Sequence, residues 1–394
     1  MNRLIIVGAG PVGLHAALEA ATNGFDTTVV ERGEVGAAIR RWAHVKLFTP
    51  FSMTSTSAGR AAASQVDALP LADDLLTGQE YVQQYLVPLS SSQLLKGKIQ
   101  HSTELLAVSR QAYGKSHAIG KTERAASPFR LLVQHADGMQ NVLECDVLLD
   151  CTGFATRHRF IGVGGIPCPG ELRCLTVEDY QIAATDPQCR QADHTLVVGS
   201  GYSAATSVCL LQQSCKQLTW ITRGDRELPI ASLKNDRLPE RRTLTEQANQ
   251  FAVDPDSNVH WMPGARIEMI ERDEAGYRLT LSATDGEQMS LVCDRIVANP
   301  GFRPDTRPYE ELQIHRCYAT DGPIQLAAHL LGETSSDCLS QPAPGAELLR
   351  NPELNFYILG AASYGRDSRF LLKNGLEQVT QLFESILVSG EGLK

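Results

Sequence analysis

Gly8, Gly10 and Gly13 form a G-x-G-x-x-G run with Pro11 inside it, and Glu31 stands 18 residues after the last glycine. The first glycine permits a tight turn, the second lets a pyrophosphate approach the backbone, and the third lets a helix pack close to a strand. A helix amino terminus there offers free N–H groups and a positive dipole end to phosphate. An acid at the position of Glu31, with Arg32 beside it, can accept hydrogen bonds from both hydroxyls of a ribose. The chemistry legible here is dinucleotide binding.

A second run, Gly199, Gly201 and Ala204 with Tyr202 and Ser203 between them, lies 191 residues after the first. Alanine is a permitted third residue. The same offset carries Glu31 onto Thr222, with Arg223 next. A carboxylate there would repel a ribose 2′-phosphate, whereas a guanidinium can clamp it in bidentate fashion. The second site therefore reads as an NADPH site; the competing reading makes Arg223 a solvated surface residue.

These loops need strands and helices to hold them. An apolar run, Leu4 to Val7, enters the first loop, an alanine-rich helical pattern follows, and Thr27 to Val30 form a second strand ending at Glu31. Thr195 to Val198 enter the second loop in the same way. Each copy then carries a hairpin-like stretch with an Asp-Gly turn, FRLLVQHADGMQNVLE and YRLTLSATDGEQMSLV. Each stretch leads into a Cys-Asp to Gly-Phe signature, CDVLLDCTGF at 145–154 and CDRIVANPGF at 293–302. The signatures are 148 residues apart, so the first copy holds 43 more residues between loop and signature. Thr152 and Gly153 are expected to return to the edge of the first site, with Gly301 in the parallel role.

The additional residues fall mostly within 33–90, after the second strand, at the edge of a parallel sheet where ligands bind. Trp42, His44, Val45, Lys46 and Phe48 are candidates there for a flavin or substrate pocket. The alternatives are packing for Trp42 and Phe48 and plain surface for His44 and Lys46. A helix is expected around GQEYVQQYLV, and surface loops at 90–102 and around Cys338. In the tail, Asn355 to Leu359 read as a strand ending at Gly360, with Tyr364 and Arg366 following. Asn374 reads as a helix cap, with Glu377 completing a capping box before an amphipathic helix through Val379, Leu382, Phe383 and Ile386. The positive end of that helix would suit the electron-rich edge of a reduced flavin.

Composition narrows the classes. The 394 residues carry 36 Lys and Arg against 45 Asp and Glu, a net charge of -9 with no long basic run, which disfavours a nucleic-acid partner. No apolar run approaches the roughly 18 residues of a membrane span, and Met1-Asn2-Arg3 leads straight into a strand, so a cytoplasmic protein without membrane attachment is expected. A homo-oligomer is compatible with the chain. The ten cysteines form no C-x-x-C, which leaves no zinc knuckle or dithiol motif and no expected metal. Most are expected to be small buried hydrophobes.

GAGPVG with Glu31, the DCTGF return strand, the central GSGYSA loop and the closing LGAASYGR-helix resemble the two-dinucleotide-binding-domain flavoproteins. That superfamily includes thioredoxin-reductase-like enzymes and the class B and Baeyer–Villiger-type flavin monooxygenases. The resemblance covers nearly the whole chain. It implies an α/β protein with two Rossmann-like, three-layer ββα domains, the NADP domain inserted into a discontinuous FAD domain. The expected bounds are 1–165 and 301–394 for the FAD domain and 166–300 for the NAD(P)H domain. It implies FAD on Gly8, Gly10, Gly13 and Glu31, and NADPH on the second loop. GAAIRRWAHVKLFTPF, with Gly36 and Trp42, is similar to the G-G-x-W region of class B monooxygenases. The F-x-G-x-x-x-H fingerprint of that class has no match in RFIGVGGIPCPGE, and Ala361 stands where disulfide-reductase members carry Asp. The favoured activity is oxygenation of a small-molecule substrate after hydride transfer from NADPH, with no catalytic acid or base assigned. The alternatives are a reductase acting on a disulfide, quinone or other small acceptor, with Cys145 and Cys151 or Cys168 and Cys174 as non-standard dithiols, and a flavin-binding sensor without turnover.

Overall fold

Strand β1 (Arg3–Val7) is apolar at nearly every position because both of its faces are buried, as a central parallel strand requires. Leu4 and Ile6 point to one core, with Leu14 and Leu18 of the helix Pro11–Thr22. Ile5 and Val7 point to another, with Leu105, Phe129 and Leu131. A computed structural model describes residues 2–154, 157–180, 192–233, 236–333 and 345–389 of the chain. Cys338 and most of its surrounding segment lie outside the described residues.

The chain divides into two compact units, 1–157 with 303–394, and 158–302. The crossings are at β8 (Arg157–His158) and β16 (Phe302–Arg303), where the expected bounds were 165 and 300. In the first unit, β1 pairs in parallel with β2 (Asp26–Val30) and β7 (Val147–Asp150). The sheet is completed by β17 (Phe356–Ile358) beside β7 and β3 (Ile99–Gln100) beside β2. Thus 90–102, expected to be loop, contains the short outer strand of this sheet. An antiparallel meander of β4 (Thr103–Arg110), β5 (Phe129–His135) and β6 (Gln140–Cys145) covers one face.

The second unit repeats the plan. Its parallel sheet runs β11 (Val259–Pro263), β10 (Gln217–Thr222), β9 (His194–Val198), β15 (Arg295–Ala298). Its meander is β12 (Arg266–Asp273), β13 (Gly276–Ser282) and β14 (Gln288–Cys293). Both hairpins turn at the expected glycines, Gly138 and Gly286, at φ of 85° and 88°. The Cys-Asp of each signature has a structural duty. Asp146 accepts a hydrogen bond from the N–H of Arg3 at 2.9 Å, and Asp294 accepts one from His194 at 2.8 Å, so each aspartate anchors the first residue of its unit's first strand. The cysteines beside them, Cys145 and Cys293, are buried, and burial pushes both thiols up to about 12.

Most of the extra length of the first copy is the helical material between β2 and β3, and much of the rest is the connection between β4 and β5. GQEYVQQYLV is helical as Gly78–Tyr81 and Val87–Ser91, joined by a wider i+5 turn over Val82–Leu86. Pro88 has no N–H to donate, which breaks the regular ladder where the wide turn lies. Thr77 and Glu80 cap it reciprocally. The closing helix begins at Leu372, before Asn374, and runs to Ser389. Asn374 is therefore within the helix and not its cap: its side chain donates to the Tyr364 hydroxyl at 3.0 Å. Val379, Leu382, Phe383 and Ile386 bury against the first helix, Phe383 edge-on to Phe25 at 6.0 Å.

Candidate functional site

Two glycine turns sit where each first strand meets its helix. Gly8 takes φ of 104° and donates to Val30 O, and Gly199 takes φ of 137° and donates to Ile221 O. A Cβ on Gly8 would press on Cys151 O of the return strand, and one on Gly199 on Asn299 O, the matching residue of the second return strand. A Cβ on Gly13 would overlap Gly8 O, whereas the methyl of Ala204 is accommodated in the second copy. Gly10 and Gly201 face open space, leaving room for a ligand against the backbone. Gly10 and Gly201 also precede their helices without a side-chain cap or an acidic residue in the first turn. The first-turn N–H groups therefore remain directed outward, suited to phosphate.

The first turn opens into a cleft of about 230 Å³ lined by Gly8, Gly10, Pro11, Glu31, Arg32, Gly33, Gly36, Arg41, Thr103, Leu105, Thr152, Asp305 and Tyr309, among others. Glu31 is aimed by two backbone groups, accepting from Ala9 N–H at 2.7 Å and Gly33 N–H at 2.8 Å. Its remaining lone pairs are available to ribose hydroxyls. Arg32 pairs loosely with Glu104 at 3.7 Å. Gly153 adopts φ of 68°, and a Cβ there would meet nothing.

Sequence reasoning passed over Asp150, although it stands within the DCTGF signature. It is buried at the end of β7, and one carboxylate oxygen accepts from Thr152 N–H at 3.0 Å and from its hydroxyl at 2.6 Å. Burial lifts this carboxyl above its usual range, against the pull of the Thr152 bonds and Arg316. Asp150 thereby sets the turn that carries Thr152 into the cleft. Asp305 and Tyr309 were also missed: they follow the second Gly-Phe signature, far in sequence from the loop whose cleft they line.

Trp42, His44 and Val45 do not line this cleft; Arg41 does. The Trp42 ring packs on the first core beside Gly78 and Ile39, the packing alternative. His44 and Val45 are half-buried in the turn that follows. Tyr364 is buried edge-on to Phe370 at 5.2 Å, a core residue and not a cleft residue. Gly360, at φ of 67°, donates to Gln378 Oε1 and lies against Val12 and Gly375, where it joins the last strand to the closing helix.

At the second turn the acid is replaced by a residue that has no spare hydroxyl. Thr222 is buried, accepts from Trp261 Nε1 at 3.0 Å and donates to Gly224 O at 3.2 Å. Arg223 is exposed, near Gly165. Ser203 is exposed in the first turn of the helix, and Tyr202 lies 5.8 Å from the Arg241 guanidinium. FAD and NADP(H) fit what the two sites offer: glycine turns with open space, uncapped helix ends, an oriented carboxylate at one and an exposed guanidinium at the other.

The eight described cysteines form no disulfide, and among the described residues no His, Cys, Asp and Glu cluster could hold a metal. Cys151, which borders the first cleft, is buried, and burial with Asp150 behind it pushes its thiol well up. No described helix is long and apolar enough to cross a membrane.

A family model described as pyridine nucleotide-disulphide oxidoreductase matches residues 2–330. No curated protein gives a significant sequence match. Solved structures resemble the chain over nearly its whole length. Bacillithiol disulfide reductase from Bacillus cereus is 17% identical with a TM-score of 0.69, over 98% of this chain and 99% of that one. The Staphylococcus aureus counterpart is 19% identical with a TM-score of 0.67, over 99% of each. An ornithine N-hydroxylase from Kutzneria sp. 744 is 14% identical with a TM-score of 0.63, over 99% of this chain and 100% of that one. At such identities the likeness is one of fold.

Proposed function

The chain belongs to the pyridine nucleotide-disulphide oxidoreductase family and is an FAD- and NADP(H)-dependent oxidoreductase; from that premise we propose that it is a cytoplasmic monooxygenase-like enzyme using NADPH, dioxygen and a small-molecule substrate. The observation that carries the cofactor assignment is the exchange of Glu31 for Thr222 and Arg223 on an otherwise repeated frame. In this reading the Gly8 to Gly13 turn and the helix end behind it receive the FAD diphosphate, and Glu31 accepts from the adenosine ribose. Thr152, held by Asp150, and Gly153 close over the same cleft. Gly199, Gly201, Tyr202 and Ser203 receive the NADPH diphosphate, and Arg223 clamps the 2′-phosphate. Bound FAD supplies two-electron acceptance from NADPH and delivery to the final acceptor.

Cys151, which borders the cleft, is poorly suited to act as a disulfide-exchanging thiol. Exchange with a disulfide needs a thiolate, and Cys151 is buried with its proton held. The second reading, a reductase passing electrons to a disulfide or other small acceptor, rests on the family description itself. Anaerobic stopped-flow mixing tests the shared step: NADPH is expected to bleach the flavin, and faster than NADH does. A preference for NADH overturns the role given to Arg223. Oxygen uptake that matches NADPH oxidation and rises with added substrate supports oxygenation. NADPH oxidation supported by a disulfide under nitrogen favours the reductase.

A further inference from the structure

We propose that Arg157, Arg303 and Arg366 form a binding subsite for an oxyanion, the carboxylate or phosphate group of the small-molecule substrate. Only the attribution to substrate rests on the function proposed above; the site itself rests on the side chains. Arg303 directly follows the second Gly-Phe signature. Its Nε is buried with no hydrogen-bond partner, and its guanidinium makes no ion pair among the described residues. Arg303 and Arg157 lie on the paired strands β16 and β8; burial, and then the neighbouring Arg157 and Arg366 cations, push this guanidinium below its usual value.

The carboxylates within reach, Asp305 and Asp321, are already engaged. Asp305 receives a two-point bond from Arg307 at 2.8 and 2.5 Å and faces Arg157 at 3.7 Å. Asp321 accepts from Arg366 Nε at 2.7 Å. Arg157, Arg303, Arg307 and Arg366 thus gather around Asp305 and Asp321, while Glu104 and Glu310 also act on Arg307, in a chain whose net charge is -9. A partly enclosed cation without a counter-charge is unfavourable until an anion completes it. The Arg157 and Arg366 side chains keep 30% and 37% exposure, so a small anion can reach them. Arg366 is also held in place, its N–H donating to Thr320 O at 2.7 Å. Asp305, which faces Arg157, also lines the cleft of the first glycine turn, although the three arginines themselves do not. The other anion available there is the cofactor diphosphate, for which the uncapped helix end already provides donors.

Thermal unfolding of the FAD-loaded protein, with inorganic phosphate or succinate added at constant ionic strength, tests the site. At least one of the two is expected to raise Tm saturably. The midpoint concentration should rise about tenfold or more in R303Q, R157Q and R366Q, in keeping with loss of a charge-assisted bond. Flavin content should stay unchanged. Without added anion, R303Q is expected to unfold above the parent, because it removes an uncompensated cation. The more exposed R157Q and R366Q keep the test valid if R303Q does not fold. No saturable rise, or the same rise in all three variants, overturns the site. Loss of flavin from R303Q with no response to phosphate or succinate assigns the anion to the cofactor and overturns the substrate attribution. A saturable, arginine-dependent rise without substrate-coupled oxygen uptake keeps this site and removes the monooxygenase reading.

Discussion

The two nucleotide units share a frame down to single hydrogen bonds, yet their helices approach their strands differently. In the first, the space of a Cβ on Gly13 is taken by the Gly8 carbonyl; in the second, Ala204 is buried with its methyl in place. What the third fingerprint residue may be is therefore a matter of helix-to-strand distance, which the two copies have set independently. The electrostatic difference is of another kind. Glu31 is exposed to the cleft and aimed by backbone donors, while Thr222 is turned inward and the charge passes to Arg223. The loops share one backbone geometry, and in the function proposed above the residues that end the second strand of each unit distinguish the ribose.

Several substitutions would break or sharpen this comparison. The most direct test of the loops is Gly13→Ala, which drives a methyl into the Gly8 carbonyl. Bound flavin, read from its visible absorbance per protein, should fall roughly tenfold or more, since overpacking of this kind costs at least 1–3 kcal/mol. If Gly13→Ala binds flavin normally, the tight contact is not what separates the copies.

Next is the anchoring of the meanders. In the first unit, Arg110 and Arg124 both bond the buried Glu353, at 2.8 Å for the shortest contact of each. The second meander has a half-buried Ser282 to Glu268 bond instead. Glu353→Ala should cost about 3–5 kcal/mol in chemical denaturation, because it strands two buried cations, and Glu268→Ala under about 1 kcal/mol. Burial opposes ionisation of Glu353, but Arg124, the Gln313 N–H and Arg110 hold its carboxyl below the usual range. Its contribution is therefore full above the ordinary carboxylate pKa and is lost as pH falls through the depressed value.

His15 adds a pH dependence confined to the first helix, for the same offset places Thr206 in the second. Burial pushes His15 down to about 4 from 6.5. The unfolded chain takes up a proton first, so stability is full above pH 6.5 and falls by about 3 kcal/mol as pH drops to about 4. His15→Gln should flatten that slope in urea denaturation; an unchanged slope removes the assignment.

A smaller effect is expected from Arg223→Gln. The ratio of kcat/KM for NADPH over NADH should fall roughly tenfold to a hundredfold, the worth of a charged hydrogen bond, with flavin content intact. The smallest is Ala204→Gly, about 0.5–1 kcal/mol of stability through helix entropy.

Much of the fold was legible because it is written in local patterns. Strand, glycine turn, helix and Asp-Gly hairpin are each specified within a dozen residues, and repetition at fixed offsets confirmed the frame. The Cys-Asp pairs were visible as repeats, but their duty was not, since Asp146 meets Arg3 only when β7 returns beside β1. Asn374 was misread for a related reason. Its spacing to Glu377 imitates a capping box, and only the buried Tyr364 hydroxyl explains an asparagine inside the first turn of the helix.

The site divides along the same line. By sequence alone the chain determined two dinucleotide loops, the acid at one and the cation at the other, because loop, helix end and ribose contact are close in sequence. Tertiary structure decided the rest: that Trp42 and Tyr364 are core, that Asp150 positions Thr152, and that Arg157, Arg303 and Arg366 gather around Asp305 and Asp321. Such groupings join residues separated by as many as two hundred positions, and charge balance and burial exist only once the chain has closed on itself.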